Sequence, residues 1–281
     1  MAFAAWQAIL RRMALAGMFS LVLAGPVLAD STTEMQRVLF VGNSLTYTNS
    51  LPAIFELTAQ AQAGSPNFRA DMYVRGGATL TELDKDAQLH ALLDSGVYQV
   101  VVLQERGGND LCVNGKGALE QADPDCEQLV ATHIKLADEA RTHGASVLYL
   151  GTYQTQAYVS NLLVNAEQGL STQMAASYLE ISESLRRQRE LHPALPWLYT
   201  DNAHPGIATT TLMALRVYQA LHPDQALVAF DLCTTSNLYT TKLRGHPFID
   251  HDEMTAPTEP RQCLLDKAQL QVLTQAVKAA G

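Results

Sequence analysis

The sequence predicts an α/β fold built on a mostly parallel β-sheet of roughly five strands. Short apolar runs alternate with longer segments of helical periodicity between residues 37 and 221, which is the pattern of repeated βαβ units. The clearest strands are residues 38–41 and 98–103. Apart from Gln99, both are apolar and rich in β-branched residues, which is typical of parallel strands buried on both faces. Because we find no internal repeat and no sign of a second domain, we expect one domain over residues 30–281.

The N-terminal segment, residues 1–29, has the features of a secretory signal peptide. Arg11 and Arg12 precede the apolar run 13–28, and small residues follow at the expected cleavage site. A membrane anchor is the alternative interpretation. The run is short for a membrane span, however, and Pro26 interrupts it. We therefore expect cleavage after residue 29 and no membrane association afterwards.

The composition argues against two classes of partner. The whole chain has a formal net charge of −9, and removal of the two leader arginines takes it to −11. No cluster of basic residues offsets this charge. Nucleic acids and anionic lipid surfaces, which bind basic patches, are therefore not expected as partners. The sequence does not determine the oligomeric state.

The remaining elements follow the two clearest strands in a regular order. Periodicity and turn residues predict strands at 68–74, 146–150 and 196–200, and helices at 51–63, 79–94, 126–143, 170–191, 205–221 and 264–279. Residues 152–169 are polar and aromatic without a clear period. We expect them to line or cover a pocket.

The four cysteines suggest two disulfides in an exported protein. Sequence alone permits three pairings, and we predict the local ones, Cys112–Cys126 and Cys233–Cys263, because each closes a polar loop. Neither pair has C-x-x-C spacing, which disfavours zinc binding or redox chemistry. Together with the leader, the cysteines predict a periplasmic or secreted protein.

Candidate catalytic residues lie at the ends of predicted strands. Ser44 follows the first strand, and Asp201 and His204 follow the last one. Open α/β sheets bind ligands at the carboxyl ends of their strands. A serine hydroxyl becomes a nucleophile when a neighbouring histidine takes its proton and a carboxylate orients that histidine. The three residues therefore predict nucleophilic catalysis.

Other interpretations of these segments are less well supported. Ser44 could start a turn, and D-x-x-H-P could be a helix-capping turn. Neither Walker nor G-x-G-x-x-G spacing follows the first strand, and Thr46 stands where an α/β-hydrolase elbow needs glycine. A polar cluster late in the chain could suggest a metal site, but its spacing matches no ligand pattern, so we expect neither metal nor cofactor. Its members are His246, Asp250, His251, Asp252 and Glu253.

Three motifs together resemble the SGNH, or GDSL-type, hydrolases. They are GNSLT after the first strand, RGGATL after the second, and DNAHP near the end of the alternating region. The resemblance implies a three-layer α/β/α sandwich of the SGNH-hydrolase, flavodoxin-like kind. It also implies Ser44 as nucleophile, His204 as base and Asp201 as the third member of the triad.

The resemblance implies an oxyanion hole as well. Gly77 matches the glycine whose N–H faces the oxyanion, and the N–H of Ser44 is the second donor. The third block, G-x-N-D, occurs as residues 107–110, later after its strand than is usual in the family. Asn109 or Gln104 could therefore supply the side-chain amide.

The function implied by the resemblance is that of a serine esterase with an acyl-enzyme intermediate. Its expected substrate is a small-molecule or carbohydrate O-acyl ester, with an acetyl or other short acyl chain. An O-acyltransferase acting on a polysaccharide would use the same triad. A non-catalytic carbohydrate-binding module with this fold is the remaining alternative, although it would not need Ser44 and His204.

Overall fold

The computed structural model describes residues 35–119, 123–243 and 245–278. The predicted signal peptide, residues 1–29, lies outside this part. The described strands are β1 (Gln36–Gly42), β2 (Phe68–Val74), β3 (Val100–Leu103), β4 (Ser146–Leu150), β5 (Ser177–Leu179), β6 (Leu232–Ser236), β7 (Phe248–Ile249) and β8 (Pro257–Leu265). The helices are α1 (Ser44–Tyr47), α2 (Leu51–Gln60), α3 (Leu80–Leu83), α4 (Ala87–Asp94), α5 (Pro124–Thr142), α6 (Ala157–Gln173), α7 (Ser182–Leu191), α8 (Ile207–Leu221), α9 (His251–Thr255) and α10 (Lys267–Lys278), with a 3₁₀ helix at Asn109–Cys112.

The central sheet is mostly parallel, as the sequence predicts. Its strand order is β5-β4-β3-β1-β2-β7, and every pair except β2–β7 is parallel. The parallel part has the 2-1-3-4-5 order of flavodoxin-like sheets. A separate antiparallel pair, β6 and β8, lies outside this sheet.

Helices cover both faces of the sheet, which gives three layers. Along β1, Val38 and Phe40 face a core shared with α2, α8 and α10, whereas Leu39 and Val41 face a core shared with α3, α4 and α5. Successive side chains of a strand point to opposite faces, so both faces of β1 must be apolar to be covered. The continuous apolar run in the sequence has this physical origin.

The last strand of the parallel sheet differs from the prediction. Residues 196–200 do not join the sheet, and Leu198 makes only one isolated bridge, to Pro205. Pro196 has no N–H to donate to a neighbouring strand. The fifth parallel strand is β5 instead, and it divides the helix predicted at 170–191. Ala175, with φ of 47°, ends the first part of that helix.

Two further segments differ from the prediction. Residues 152–169, predicted without regular structure, contain most of α6. The helix predicted from Pro205 begins two residues later, with Gly206 as its N-cap. An added Cβ at Gly206 would lie 2.2 Å from the carbonyl oxygen of Pro196, so only glycine fits this close approach.

The topology places a ligand-binding edge between β1 and β3. Chain connections leave β1 towards β2 on one side and later return to β3 on the other, so the strand order reverses there. Ligands of open α/β sheets bind at the carboxyl ends of the strands at such a point. Among the described residues, none of the helices is long and apolar enough to cross a membrane.

Candidate active site

Ser44 lies at the carboxyl end of β1 as the first residue of the short helix α1. Asn43 caps this helix, and its side-chain oxygen accepts a hydrogen bond from the N–H of Leu45. Ser44 is only partly buried, in contrast to its neighbours on both sides. Its hydroxyl makes no hydrogen bond within the described part of the chain, which leaves it available to a substrate and a base.

Thr46 explains why the turn after β1 differs from an α/β-hydrolase elbow. Its hydroxyl donates a 2.8 Å hydrogen bond to Oε1 of Gln104, which links α1 to the end of β3. A Cβ on Gly42 would lie 2.2 Å from the same hydroxyl, so glycine is required at the end of β1. The Gln104 side chain is 1% exposed, and its amide nitrogen contacts the carbonyl oxygen of Gly151 and the sulfur of Met213.

Asp201 and His204 form a direct pair in the turn before α8. Oδ2 of Asp201 lies 2.6 Å from Nδ1 of His204, and Oδ1 accepts the N–H groups of Ala203 and His204. Desolvation opposes ionisation, but these N–H groups and the imidazole outweigh it and lower the pKa of Asp201 to about 2. Because the ionised carboxylate can only accept, Nδ1 of His204 carries the hydrogen and Nε2 remains free to act as a base.

The turn that carries this pair is closed by backbone hydrogen bonds. Tyr199 N–H donates to the carbonyl of His204, and Gly206 N–H donates to that of Trp197. Asn202 adopts a left-handed conformation with φ of 58°, which asparagine tolerates better than most residues. D-x-x-H is thus a tight turn that brings its first and fourth side chains together.

Two side chains connect this turn to the sheet edge. The amide of Asn49, in the loop after α1, donates to the carbonyl oxygen of Pro205 across 2.8 Å. The hydroxyl of Tyr153, beyond β4, donates to the carbonyl oxygen of Ala203 across 2.8 Å. The loop that follows Ser44 is therefore fixed next to His204. Ser44 and His204 are not hydrogen-bonded to each other, and such contacts commonly tighten only when substrate binds.

Backbone donors suitable for an oxyanion lie at the ends of β1 and β2. These strands are in register with Gly42 opposite Val74, so Ser44 and Gly77 follow paired residues. Gly77 is exposed with φ of +72°, a left-handed conformation that favours glycine. Within the described ranges, neither the N–H of Ser44 nor that of Gly77 makes a hydrogen bond.

The two candidates for the side-chain amide have different environments. Asn109 begins the 3₁₀ helix after β3, is partly exposed, and donates through Nδ2 to the carboxylate of Glu105 at 3.2 Å. That amide has a second hydrogen to offer. The Gln104 amide is instead buried among the groups described above, so Asn109 is the better placed donor.

Both cysteine pairs form disulfides in the structure. Cys112–Cys126 joins the 3₁₀ helix to α5, and Cys233–Cys263 joins β6 to β8. The first bridge starts three residues after Asn109. Across the described ranges, no group of three or more His, Cys, Asp or Glu side chains could hold a metal ion.

Comparison with known proteins gives structural matches only. Family models and curated proteins give no match. A DUF4886 family protein from Bacteroides uniformis has a TM-score of 0.57 and 11% identity, over 88% of this chain and 95% of its own. TesA (TM-score 0.47, 22% identity) covers 67% of this chain and 99% of its own. Axe2, an acetylxylan esterase from Geobacillus stearothermophilus (TM-score 0.49, 16% identity), covers 66% and 93%.

The predicted three-layer, flavodoxin-like α/β fold is confirmed. What the DUF4886 family protein shares with the chain is this fold. Within it, sequence reasoning did not find three residues that hold the site together: Asn49, Glu105 and Tyr153. An indirect sequence signal existed for Tyr153, because it belongs to the polar and aromatic segment 152–169, which was expected to line or cover a pocket. Asn49 and Glu105 had none, because most of their partners are distant in sequence or belong to the backbone.

Proposed function

We propose that the chain is a serine esterase that hydrolyses short O-acyl esters through an acyl-enzyme intermediate. The observation that carries the proposal is the Asp201–His204 pair at the carboxyl edge of the sheet. A hydrogen bond from Asn49 connects the turn that holds this pair to the loop after Ser44. An ionised carboxylate on Nδ1 leaves Nε2 as the base, which is what a serine nucleophile requires.

In the first half of the reaction, Oγ of Ser44 attacks the ester carbonyl carbon while Nε2 of His204 takes the hydroxyl proton. Asp201 stabilises the imidazolium that forms. The C–O bond to the alcohol then breaks, and His204 returns the proton to the leaving alkoxide. The acyl group remains on Ser44 as an ester.

In the second half, water replaces the alcohol. His204 takes a proton from the water as it attacks the acyl carbon, and the free acid leaves when the proton returns to Oγ of Ser44. The N–H groups of Ser44 and Gly77 and the amide of Asn109 would bind the oxyanion in both halves. Preorganised donors of this kind contribute about 3 kcal/mol each to transition-state stabilisation.

A polar cavity next to Asn109 supports a hydrophilic alcohol such as a carbohydrate. It has a volume of about 410 Å³, and Thr79, Glu82, Arg106 and Asn109 are among its lining residues. Its mixture of hydroxyl, amide and charged groups offers hydrogen bonds to sugar hydroxyls. We place the alcohol part of the ester there and the short acyl group at Ser44.

Export to the periplasm or the exterior belongs to the same proposal. Two disulfides are compatible with an oxidising compartment, because cytosolic reductants keep most thiols reduced. Mass spectrometry of the mature protein should give Asp30 as its first residue. A mature chain that retains residues 1–29 would contradict cleavage.

Ser44→Ala is the test of the proposed activity. Hydrolysis of p-nitrophenyl acetate and of acetylated xylan should fall by about six orders of magnitude or to background, with the melting temperature nearly unchanged. Ser95→Ala, at an exposed helix end, is the matched control and should keep wild-type activity. A serine-directed phosphonate should add its mass to the Ser44 peptide.

Three outcomes would contradict this assignment. Substantial hydrolysis by Ser44→Ala would exclude Ser44 as the nucleophile, and so would a label on another peptide. Accumulation of acylated sugar instead of free acid would assign acyl transfer in place of hydrolysis.

A further inference from the structure

A buried carboxylate lies directly behind the candidate oxyanion donors. Glu105 follows β3 by two residues and is 0% exposed. Its two oxygens accept three N–H hydrogen bonds. Oε1 accepts from the N–H of Arg106 at 2.8 Å and from the amide of Asn109 at 3.2 Å, and Oε2 accepts from the N–H of Leu80 at 3.0 Å. One side chain thus contacts segments that follow two different strands.

The contact with Leu80 fixes the start of α3, which begins three residues after Gly77. Thr79 caps this helix, and its N–H donates a hydrogen bond to the carboxylate of Glu82. The N–H of Leu80 is one of the first helical donors without an intrahelical partner, and Glu105 satisfies it. The backbone beyond Gly77 is therefore held against the end of β3.

The contact with Asn109 fixes an amide orientation. An amide group has two N–H donors, and one of them is used by Oε1 of Glu105. The Oδ1 atom of Asn109 accepts from Arg106 at 3.4 Å. Only the second N–H remains for an oxyanion, so its direction depends on Glu105.

We propose that Glu105 is a positioning residue of the oxyanion hole, which sets both the Gly77 segment and the Asn109 amide relative to Ser44. This inference rests on the proposed esterase function. Glu105 touches no reacting atom and acts through its neighbours. A single rigid carboxylate between the two donors would keep their separation constant during the reaction.

The three N–H contacts favour an ionised carboxylate at position 105. All three partners are N–H donors, and only a carboxylate offers acceptors on both oxygens. Glutamine would place an NH₂ group against at least one of these donors. Burial raises the pKa of Glu105, and the charge of Asp110 adds to this effect. The nearby imidazole of His133, with Nε2 3.5 Å from Oε2, opposes it, as do the N–H groups of Arg106 and Leu80. A carboxylate kept at such a desolvation cost is best explained by its three directed contacts.

The test compares Glu105→Gln with a buried carboxylate elsewhere. Glu56→Gln is the matched control, because Glu56 is 2% exposed and accepts the N–H of Ala70 near the amino end of β2. Both variants should lose some thermal stability. Only Glu105→Gln should lower kcat, by about ten- to a hundredfold, with KM within about twofold, since the oxyanion contacts strengthen only in the transition state. Glu105→Asp, which keeps the charge on a shorter side chain, should lose less.

A double variant separates positioning from general destabilisation. If Glu105 acts partly through Asn109, its effect should shrink once Asn109 is removed. The fold-decrease in kcat caused by Glu105→Gln should then be at least about threefold smaller in the Asn109→Ala background than in the wild type. Two losses that simply multiply would overturn the proposal. So would an unchanged kcat in both Glu105 variants, or an equal loss in Glu56→Gln.

The same assays distinguish this inference from the proposed function. Activity that persists in Ser44→Ala would overturn the esterase and, with it, the role of Glu105. Activity that depends on Ser44 but not on Glu105 would overturn only the positioning role.

Discussion

The hydroxyl of Tyr153 donates a 2.8 Å hydrogen bond to the carbonyl oxygen of Ala203, the residue before His204. This bond joins the end of β4 to the turn that holds the candidate catalytic base. The Tyr153 side chain is buried, and burial together with the charge of Asp201 raises the pKa of its hydroxyl, which stays a neutral donor. The position of the base therefore depends on a strand far from it in sequence.

Tyr153→Phe should loosen the turn without changing its packing. The variant keeps the ring and leaves the carbonyl of Ala203 without its buried donor, at a cost of about 1 kcal/mol. We expect kcat for ester hydrolysis to fall by about tenfold. Tyr98→Phe is the control, because its hydroxyl donates to Asp71 in the middle of β2, away from the carboxyl end of the strand. An equal loss of kcat in both variants would contradict a specific role for Tyr153.

Asp201→Asn should remove the charge that fixes the His204 tautomer. Because the pKa of Asp201 is about 2, the carboxylate is ionised at every pH above about 4. We expect kcat to fall by about four orders of magnitude, less than for Ser44→Ala. Steady-state kinetics between pH 5 and 9 measures this. Wild-type kcat in Asp201→Asn would exclude Asp201 from the triad.

Asn109→Ala should mainly lower kcat, whereas Gln104→Ala should mainly lower the thermal stability. Removal of the Asn109 amide should lower kcat by about two to three orders of magnitude with little change in melting temperature. Removal of Gln104 breaks the buried contact with Thr46 and should lower the melting temperature more than kcat. The reverse ranking of the two kcat values would move the donor role to Gln104.

Asp110→Asn should change how stability depends on pH. Burial raises the pKa of Asp110 from its ordinary value of 3.8 to about 7, although the hydrogen bond from Tyr149 lowers it. The folded state therefore keeps a proton that the unfolded state loses, so stability falls as the pH rises from about 4 to 7. Asparagine removes this titration and should gain up to about 4 kcal/mol relative to the wild type at pH 8.

Urea denaturation at several pH values would measure this effect. The exposed Asp224 supplies the control, since Asp224→Asn should leave the profile unchanged. A wild-type slope between pH 4 and 7 in Asp110→Asn would show that other groups dominate the pH dependence.

Loss of the Cys112–Cys126 bridge should affect both stability and rate. The bridge closes a segment with a sequence separation of 14, for which the chain-entropy model gives about 3 kcal/mol. Because Cys112 ends the 3₁₀ helix that Asn109 begins, the double alanine variant should also lower kcat severalfold. The matching double variant at Cys233 and Cys263 should lose stability and keep kcat. Equal kcat losses would point to a global effect.

The sequence by itself determined the class of fold and the three candidate catalytic residues. Strands buried on both faces must be continuously apolar, so residues 38–41 and 98–103 are recognisable without a structure. The pairing of Asp201 with His204 is also local, because a tight turn can join residues three apart. Such features depend on interactions between near neighbours in the chain.

Only the tertiary structure decided which strand completes the sheet and how the two amide candidates differ. β5 is three residues long inside a helix-forming region, and it is a strand because Leu179 pairs with Leu150. Gln104 differs from Asn109 in environment because Thr46 and Gly151 contact its amide from other parts of the chain. Hydrogen bonds between segments far apart in sequence leave no periodicity or spacing, since they depend on how the layers pack.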